Sequence, residues 1–263
     1  MTEIVTADHI SARLRNLGLA PGDMVMMHCS LTSVGRVEGG ADGLINAVLD
    51  AVSPGGTVMM PALPSIHTPF DVRTSPSTVG LVSEVFRRRP EAVRSRHPSH
   101  SVAAIGPQAA WLTDGHERTE PTGLDSPYDR LRARNGWILL LGVDHDRNTM
   151  LHLAETLAGV PYLRQGNLQT VDESGGVRTI AVPKMAYGHR QFIGLDRPLT
   201  EVGLQSIGRV GDAVARVMRA GPLIEFVVDL LRTDPAALLC SKPTRIFCRW
   251  ARARVAEVRD GTP

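Results

Sequence analysis

Thr149, His152 and Glu155 fall at steps of three residues, and Thr156 follows one step on. If a helix begins there, a hydroxyl, an imidazole and a carboxylate share one face. Such a set suits general-base chemistry with an oriented histidine. A lone Thr-x-x-His-x-x-Glu face is more often a solvated helix surface than a catalyst, so the flanking residues matter. Residues 137–143 (Trp-Ile-Leu-Leu-Leu-Gly-Val) form an apolar run with the length and composition of a buried strand. Polar residues 144–148 follow, and the period then changes from strand to helix. A strand–loop–helix unit presents its loop and first helical turn at the carboxyl edge of a sheet, where open α/β folds bind ligands. Asp146 or Asn148 can cap the helix, and Gly159 with Pro161 ends it.

The elements before this unit are built in the same way. Residues 7–19 read as an amphipathic helix, 23–29 as a short buried strand, 41–52 as a helix and 57–60 as a strand. This order makes a crossover unit with parallel pairing. Residues 61–77, rich in Pro, Ser and Thr, are long for a structureless connection and are expected to be a functional loop. Further on, 79–89 reads as a helix and 101–105 as a strand. Residues 168–171 and 177–182 read as a β-hairpin around a glycine turn. Residues 203–219 and 222–231 read as two more amphipathic helices.

Composition narrows the class. The chain has 263 residues, 43% hydrophobic and 21% charged, enough to bury the core of one large α/β domain spanning 1–263. The net charge of +2 argues against a nucleic-acid partner for the surface as a whole. Basic residues do cluster at Arg87, Arg88, Arg89, Arg94 and Arg96, and again from Lys242 to Arg259. The first cluster is expected to be a solvated face, with a phosphate-rich cofactor as the alternative. The second is expected to be a soluble basic tail, beginning at about residue 233. Cys29, Cys240 and Cys248 have no metal-ligand spacing and are odd in number, which points to a reducing compartment without disulfides. No metal site is expected. With no signal peptide and no apolar run of membrane-spanning length, a cytoplasmic protein without a membrane partner is expected.

Three further segments carry polar chemistry. After the strand at 23–29 come Ser30, Leu31, Thr32, Ser33, Val34 and Gly35, and Gly39-Gly40 opens the next helix. Small hydroxyl residues and glycine after a strand can expose backbone N–H groups as an anion cradle. Neither a P-loop nor a dinucleotide fingerprint is present. Residues 94–106 enter a strand through His97 and His100, at least one of which is expected to be buried and structural. Asp125-Ser126-Pro127 makes a turn into a short helix that either Asp125 or Ser126 could cap.

Four segments in this order, 28–35 with Gly39-Gly40, 94–106, 126–131 and 139–155, closely resemble the aminoglycoside 3-N-acetyltransferase family of antibiotic N-acetyltransferases. The similarity runs from about residue 10 to about residue 231. The resemblance implies a three-layer α/β/α fold with a mostly parallel central sheet plus a β-hairpin elaboration, distinct from the more widespread acetyltransferase fold. It implies acetyl-CoA as co-substrate, transfer of acetyl to the 3-amino group of an aminoglycoside, and drug inactivation as the role. On this resemblance, residues 30–35 with Ser101 and Val102 cradle the CoA phosphates and pantetheine, and His152 is the active-site histidine with Thr149 and Glu155 around it. A homo-oligomer is compatible with it.

The residues agree with that chemistry. A protonated amine must lose a proton before it attacks a thioester, and a neutral imidazole can take it. Glu155 can orient the ring, and the Thr149 hydroxyl can stabilise an oxyanion. Cys29, the one thiol within a motif, is expected to be buried, so direct transfer is expected rather than an acyl-enzyme. Polycationic acceptors need acidic groups, and Asp71 in the 61–77 loop and Asp125 are the first candidates. Another amine natural product is the alternative acceptor. A non-catalytic CoA or drug binder is the alternative class, and the intact Thr149/His152/Glu155 face argues against it.

Overall fold

The computed structural model describes residues 4–261 except 187, 189 and 243. The main sheet contains β1 (Met24–Cys29), β2 (Thr57–Pro61), β3 (Val93–Arg94), β4 (Val102–Ile105) and β5 (Trp137–Leu141). Beyond a separate hairpin of β6 (Arg164–Val171) and β7 (Val177–Met185), it is completed by β8 (Ser206–Val210) and β9 (Ala213–Arg219). Its strand order is β3-β4-β2-β1-β5-β9-β8. The central strands β2, β1 and β5 are parallel, with Met26 beside both Met59 and Ile138. β4 and β9 run antiparallel to this centre, and β3 and β8 again point with it.

The parallel centre is covered on both faces, as its continuous apolar strands require. Alternate residues point to opposite sides. Val25, Met27, Leu139 and Leu141 pack with α1 (Ala7–Asn16), α3 (Gly40–Ala51) and α4 (Leu81–Arg87). Between β1 and α3 lies the single turn α2 (Leu31–Val34). Met26, Ile138 and Leu140 pack on the other side with α5 (Ala109–Thr113), α6 (Pro127–Ala133) and α7 (Leu151–Ala158), together with α9 (Ala220–Thr233). These are the three layers implied by the resemblance. Loss of a buried leucine side chain such as Leu140 is expected to cost about 2–5 kcal/mol.

Two expectations are corrected. Residues 203–219 do not form a helix: after the short α8 (Asp196–Glu201) they make the β8–β9 hairpin. Val210, Val214 and Val217 fit a helical spacing, yet burial along β9 alternates, with Ala213, Ala215 and Val217 buried. The turn is Gly211-Asp212, and Gly211 has φ 55 with no room for a side chain, because a Cβ would lie 2.3 Å from the Val34 carbonyl oxygen. Nor is the C-terminal stretch a solvated tail. Leu238, Leu239 and Cys240 are buried, and α10 (Ile246–Arg259) buries Cys248 and Ala251 in the same core as α7 and α9. Its arginines occupy the opposite, solvated face, and Arg252 turns back to the carbonyls of Leu239 and Cys240.

The 61–77 connection is irregular but tied down. Phe70 is buried and pairs with the hairpin through Phe70 N to Gln169 O at 2.9 Å and Val171 N to Phe70 O at 2.8 Å. Among the described residues no helix is long and apolar enough to cross a membrane.

Candidate active site

The site forms where β5 and β1 end. After Leu141 the chain leaves the sheet through Gly142, and the Asp144 carboxylate caps the next turn by accepting from Asp146 N at 2.9 Å. The side-chain oxygen of Asn148 then accepts from Met150 N at 3.2 Å, and the Thr149 carbonyl from His152 N at 3.1 Å. Thr149 therefore sits in the turn before α7 rather than on the helix. Gly159, with left-handed backbone, closes α7 as expected. Behind the loop, His145 Nε2 meets Gln205 Oε1 at 3.0 Å, and Gln205 in turn bonds Asp196 and Thr200.

His152 and Glu155 meet as their spacing predicted. Nδ1 lies 2.7 Å from Glu155 Oε2. Glu155 is fully buried, and its other oxygen is held by the Arg190 guanidinium, itself buried. Burial alone would raise the Glu155 carboxyl, but the Arg190 charge and the His152 hydrogen bond outweigh it and hold the group below the ordinary glutamate value. An ionised carboxylate only accepts, so the imidazole hydrogen belongs on Nδ1 and the lone pair of the neutral ring on Nε2. The ring is seated between Phe192, 5.3 Å away between centroids, and His100 at 6.1 Å and nearly perpendicular.

His100 is buried with His97 and His116, which stack at 4.6 Å. Burial first, then the charge of His152, takes His100 down to about 3. It is therefore a neutral wall of the site, in keeping with the structural role expected in this segment.

Two clefts meet at this point, sharing Asp144 and Arg147. The larger, about 690 Å³, runs along the ends of β1 and β2 to Gly80 and takes in Ser30, Leu31, Thr32 and Thr149. The smaller, about 480 Å³, holds His152, with Asp144, Asp146, Arg147 and Arg245 around it. His28 lines the larger cleft; burial, helped by His145, takes it to about 3, and its buried Nε2 has no hydrogen-bond partner.

The other candidates fall in different places. Ser33 lines a neighbouring depression, Val34 is buried, and Gly35 packs against Asp212. Ser101 and Val102 do not reach the cleft. Both are fully buried, Ser101 Oγ donating to Ala62 O at 2.6 Å and Val102 pairing with Pro61 in the sheet. Arg94 is also structural, reaching Ala62 O, Ser75 O and Ser101 Oγ beneath the 61–77 loop. Arg87 and Arg89 are committed to Glu84 and Asp42. Asp71 lies in a separate groove against the β6–β7 hairpin, where Arg73 hydrogen bonds hold its carboxyl low. Asp125 is exposed at the turn into α6, and Ser126 takes the capping role there. Neither acid lines the His152 cavity. The acids that do are Asp144 and Asp146, which belong to the same stretch as His152. Arg190, Phe192 and the C-terminal segment gave no local signal, because their partners lie far away in sequence.

The aminoglycoside 3-N-acetyltransferase family profile matches residues 26–232. The chain is 39% identical over 230 residues to aminoglycoside N(3)-acetyltransferase IV from a Salmonella species, covering 86% of this chain and 87% of that protein. It is 33% identical over 262 residues to aminoglycoside N(3)-acetyltransferase IX of Micromonospora chalcea, covering 86% and 92%. Its fold is similar to a crystal structure of a histidine-to-alanine variant of aminoglycoside acetyltransferase AAC(3)-IVa in complex with a gentamicin. The TM-score is 0.89, with 36% identity over 97% of this chain and 99% of that one. It is also similar to AAC-IIIb in its binary complex with CoASH, with TM-score 0.82 and 29% identity over 88% and 97%. The family profile, these relatives and the shared layered fold together define a class of acyltransferase. The chain belongs to the aminoglycoside 3-N-acetyltransferase family.

Proposed function

We propose that the protein transfers acetyl from acetyl-CoA directly to the 3-amino group of an aminoglycoside, with His152 as general base. The observation that carries this reading is the Arg190–Glu155–His152 series at the meeting of the two clefts. It fixes the imidazole with Nε2 available, in a ring held by Phe192 and His100. Two relatives support the choice of substrates, since one structure holds a gentamicin and another CoASH.

The larger cleft suits acetyl-CoA. Arg147 offers charge for phosphate, Ser30 and Thr32 offer hydroxyls, Val79 and Leu81 offer exposed apolar surface for the pantetheine arm, and His28 offers a buried nitrogen lacking a partner. The bound co-substrate supplies an activated acetyl thioester. Thr149, lining that cleft, donates to the charge that develops on the acetyl oxygen. His152 Nε2 removes the proton from the attacking amine as its C–N bond to the acetyl carbon forms, and Glu155 stabilises the imidazolium that results. The C–S bond then breaks, and the departing CoA thiolate takes up the proton from the imidazolium and leaves as the free thiol. Asp144 and Asp146 attract the acceptor's other ammonium groups. Cys29 is half-buried and lines the larger cleft rather than being fully buried as expected, but desolvation pushes its thiol up to about 12, too high for a nucleophile at neutral pH, so it takes no part.

The test is thiol release from acetyl-CoA against a panel of aminoglycosides. His152→Ala should lower turnover by about 10²–10⁴-fold while CoA binding holds. Turnover at the unaltered rate in that variant overturns the assignment.

A further inference from the structure

The cavity around His152 is not uniformly acidic, as a receptor for polycations would be expected to be. Beside Asp144 and Asp146 its lining includes three arginines: Arg147 from the same loop, Arg190, which is committed to Glu155, and Arg245, contributed by the C-terminal segment. Arg245 is exposed, and no described residue pairs with its guanidinium. Its helix is anchored independently of it. Phe247 lies against the Arg190 guanidinium at 4.4 Å and against the Tyr162 ring at 6.3 Å, Trp250 stacks on Arg164 at 3.5 Å, and Cys248 and Ala251 are in the core. The backbone at 245 is thereby carried to the cavity rim.

Local helix physics does not call for arginine there. Arg245 occupies the N-cap of α10 and makes no side-chain cap. The N-terminus of a helix disfavours a cation, and Ser, Asp or Asn would serve better. What the position does provide is positive charge on the wall where the acceptor's ammonium groups must lie.

The geometry points to Arg245 as a specificity-determining residue that limits how many positive charges an acceptor can bring to the site. The inference rests on the proposed function in placing an amine acceptor in this cavity. An acceptor with ammonium groups confined to the Asp144/Asp146 side is admitted. One whose ammonium groups also reach the rim meets like charge. The residue acts on binding and not on proton transfer, so KM for the acceptor should move while kcat and KM for acetyl-CoA hold.

The experiment measures one-to-one binding of the tetraamine neamine and the diamine 2-deoxystreptamine by calorimetry at low salt, beside thiol-release kinetics. The full chain is used, with Arg245→Ala, Arg245→Glu, Arg245→Lys and Asp146→Asn. Removing one contact repulsion at water-like dielectric should tighten neamine about fivefold in Arg245→Ala, and reversing the charge should tighten it roughly twentyfold in Arg245→Glu. Arg245→Lys should match the unaltered protein, and Asp146→Asn should weaken binding. The gains should be smaller for the diamine and should shrink in high salt. Equal neamine affinity across all residue-245 variants, or weaker binding by Arg245→Glu, overturns the inference. If the affinity order holds but no aminoglycoside releases thiol, the charge limit stands and the acetylation reading falls.

Discussion

Glu155→Gln tests the centre of the site. The carboxylate is fully buried and serves two donors, His152 Nδ1 through one oxygen and Arg190 through the other. Glutamine keeps the shape but replaces one acceptor with an NH2 donor. If the NH2 faces Arg190, two donors meet. If it faces His152, Nδ1 must accept, the ring hydrogen moves to Nε2, and the base is lost. In both arrangements the Arg190 charge stays buried without its counter-charge. Breaking a buried pair by removing one partner costs about 3–5 kcal/mol. A loss of about 3 kcal/mol lowers Tm by about 6–12 °C in a chain near this size. Turnover should fall roughly 10–10³-fold, less than removal of the base itself. The sign with pH follows from the depressed carboxyl. Its contribution is complete above the ordinary glutamate range and is lost as pH falls through the lower folded value. The unaltered protein should therefore approach Glu155→Gln in stability only in acid. The double variant Glu155→Gln/Arg190→Met separates the two roles, because removing both charges should restore much of the stability while turnover stays low. Thermal melts and thiol-release rates read both quantities. Unchanged Tm in Glu155→Gln, or recovered turnover in the double variant, would refute the reasoning.

The remaining predictions concern other parts of the molecule. His28, His100 and His116 are held neutral by burial, each down to about 3, so the unfolded chain binds more protons below about pH 6.5. Stability should fall as pH drops from about 6.5 to about 5. The slope in His116→Asn, read from urea midpoints, should be shallower by up to about 1.4 kcal/mol per pH unit, the value of one proton. Incubation with acetyl-CoA alone should leave the protein mass unchanged and kinetics should be sequential, because the Cys29 thiol is held protonated; an acetyl adduct on Cys29 would sink direct transfer. Gly35 has φ 101, and a Cβ there would lie 2.8 Å from Asp212 Oδ2. Gly35→Val should therefore distort the turn after β1 and weaken CoA binding in calorimetry far more than Thr32→Ala, whereas equal losses would mean that the shape of this turn does not matter.

The sequence by itself determined the strand–loop–helix unit and the His152–Glu155 pair. Both follow from local spacing: β5 is a continuous apolar run, and a three-residue step on a helix brings side chains together wherever the helix sits. The turn after β1, the α1–β1–α3–β2 order and the β6–β7 hairpin were legible for the same reason. Residues 206–219 were not, because their valines satisfy both helical and strand periods. The two-residue turn at Gly211 and pairing with β5 decide between them. Ser101 and Val102 appeared in a motif, but whether a motif residue faces a cleft or the interior depends on strand pairing, and here both face inward. Only the tertiary structure brought in Arg190, 35 residues from Glu155, and only packing turned a basic C-terminal stretch into a helix carrying Phe247 and Arg245 to the site. Local spacing constrains neighbours along an element, whereas contacts between distant segments are set by which apolar faces bury one another, and no single stretch of residues encodes that choice.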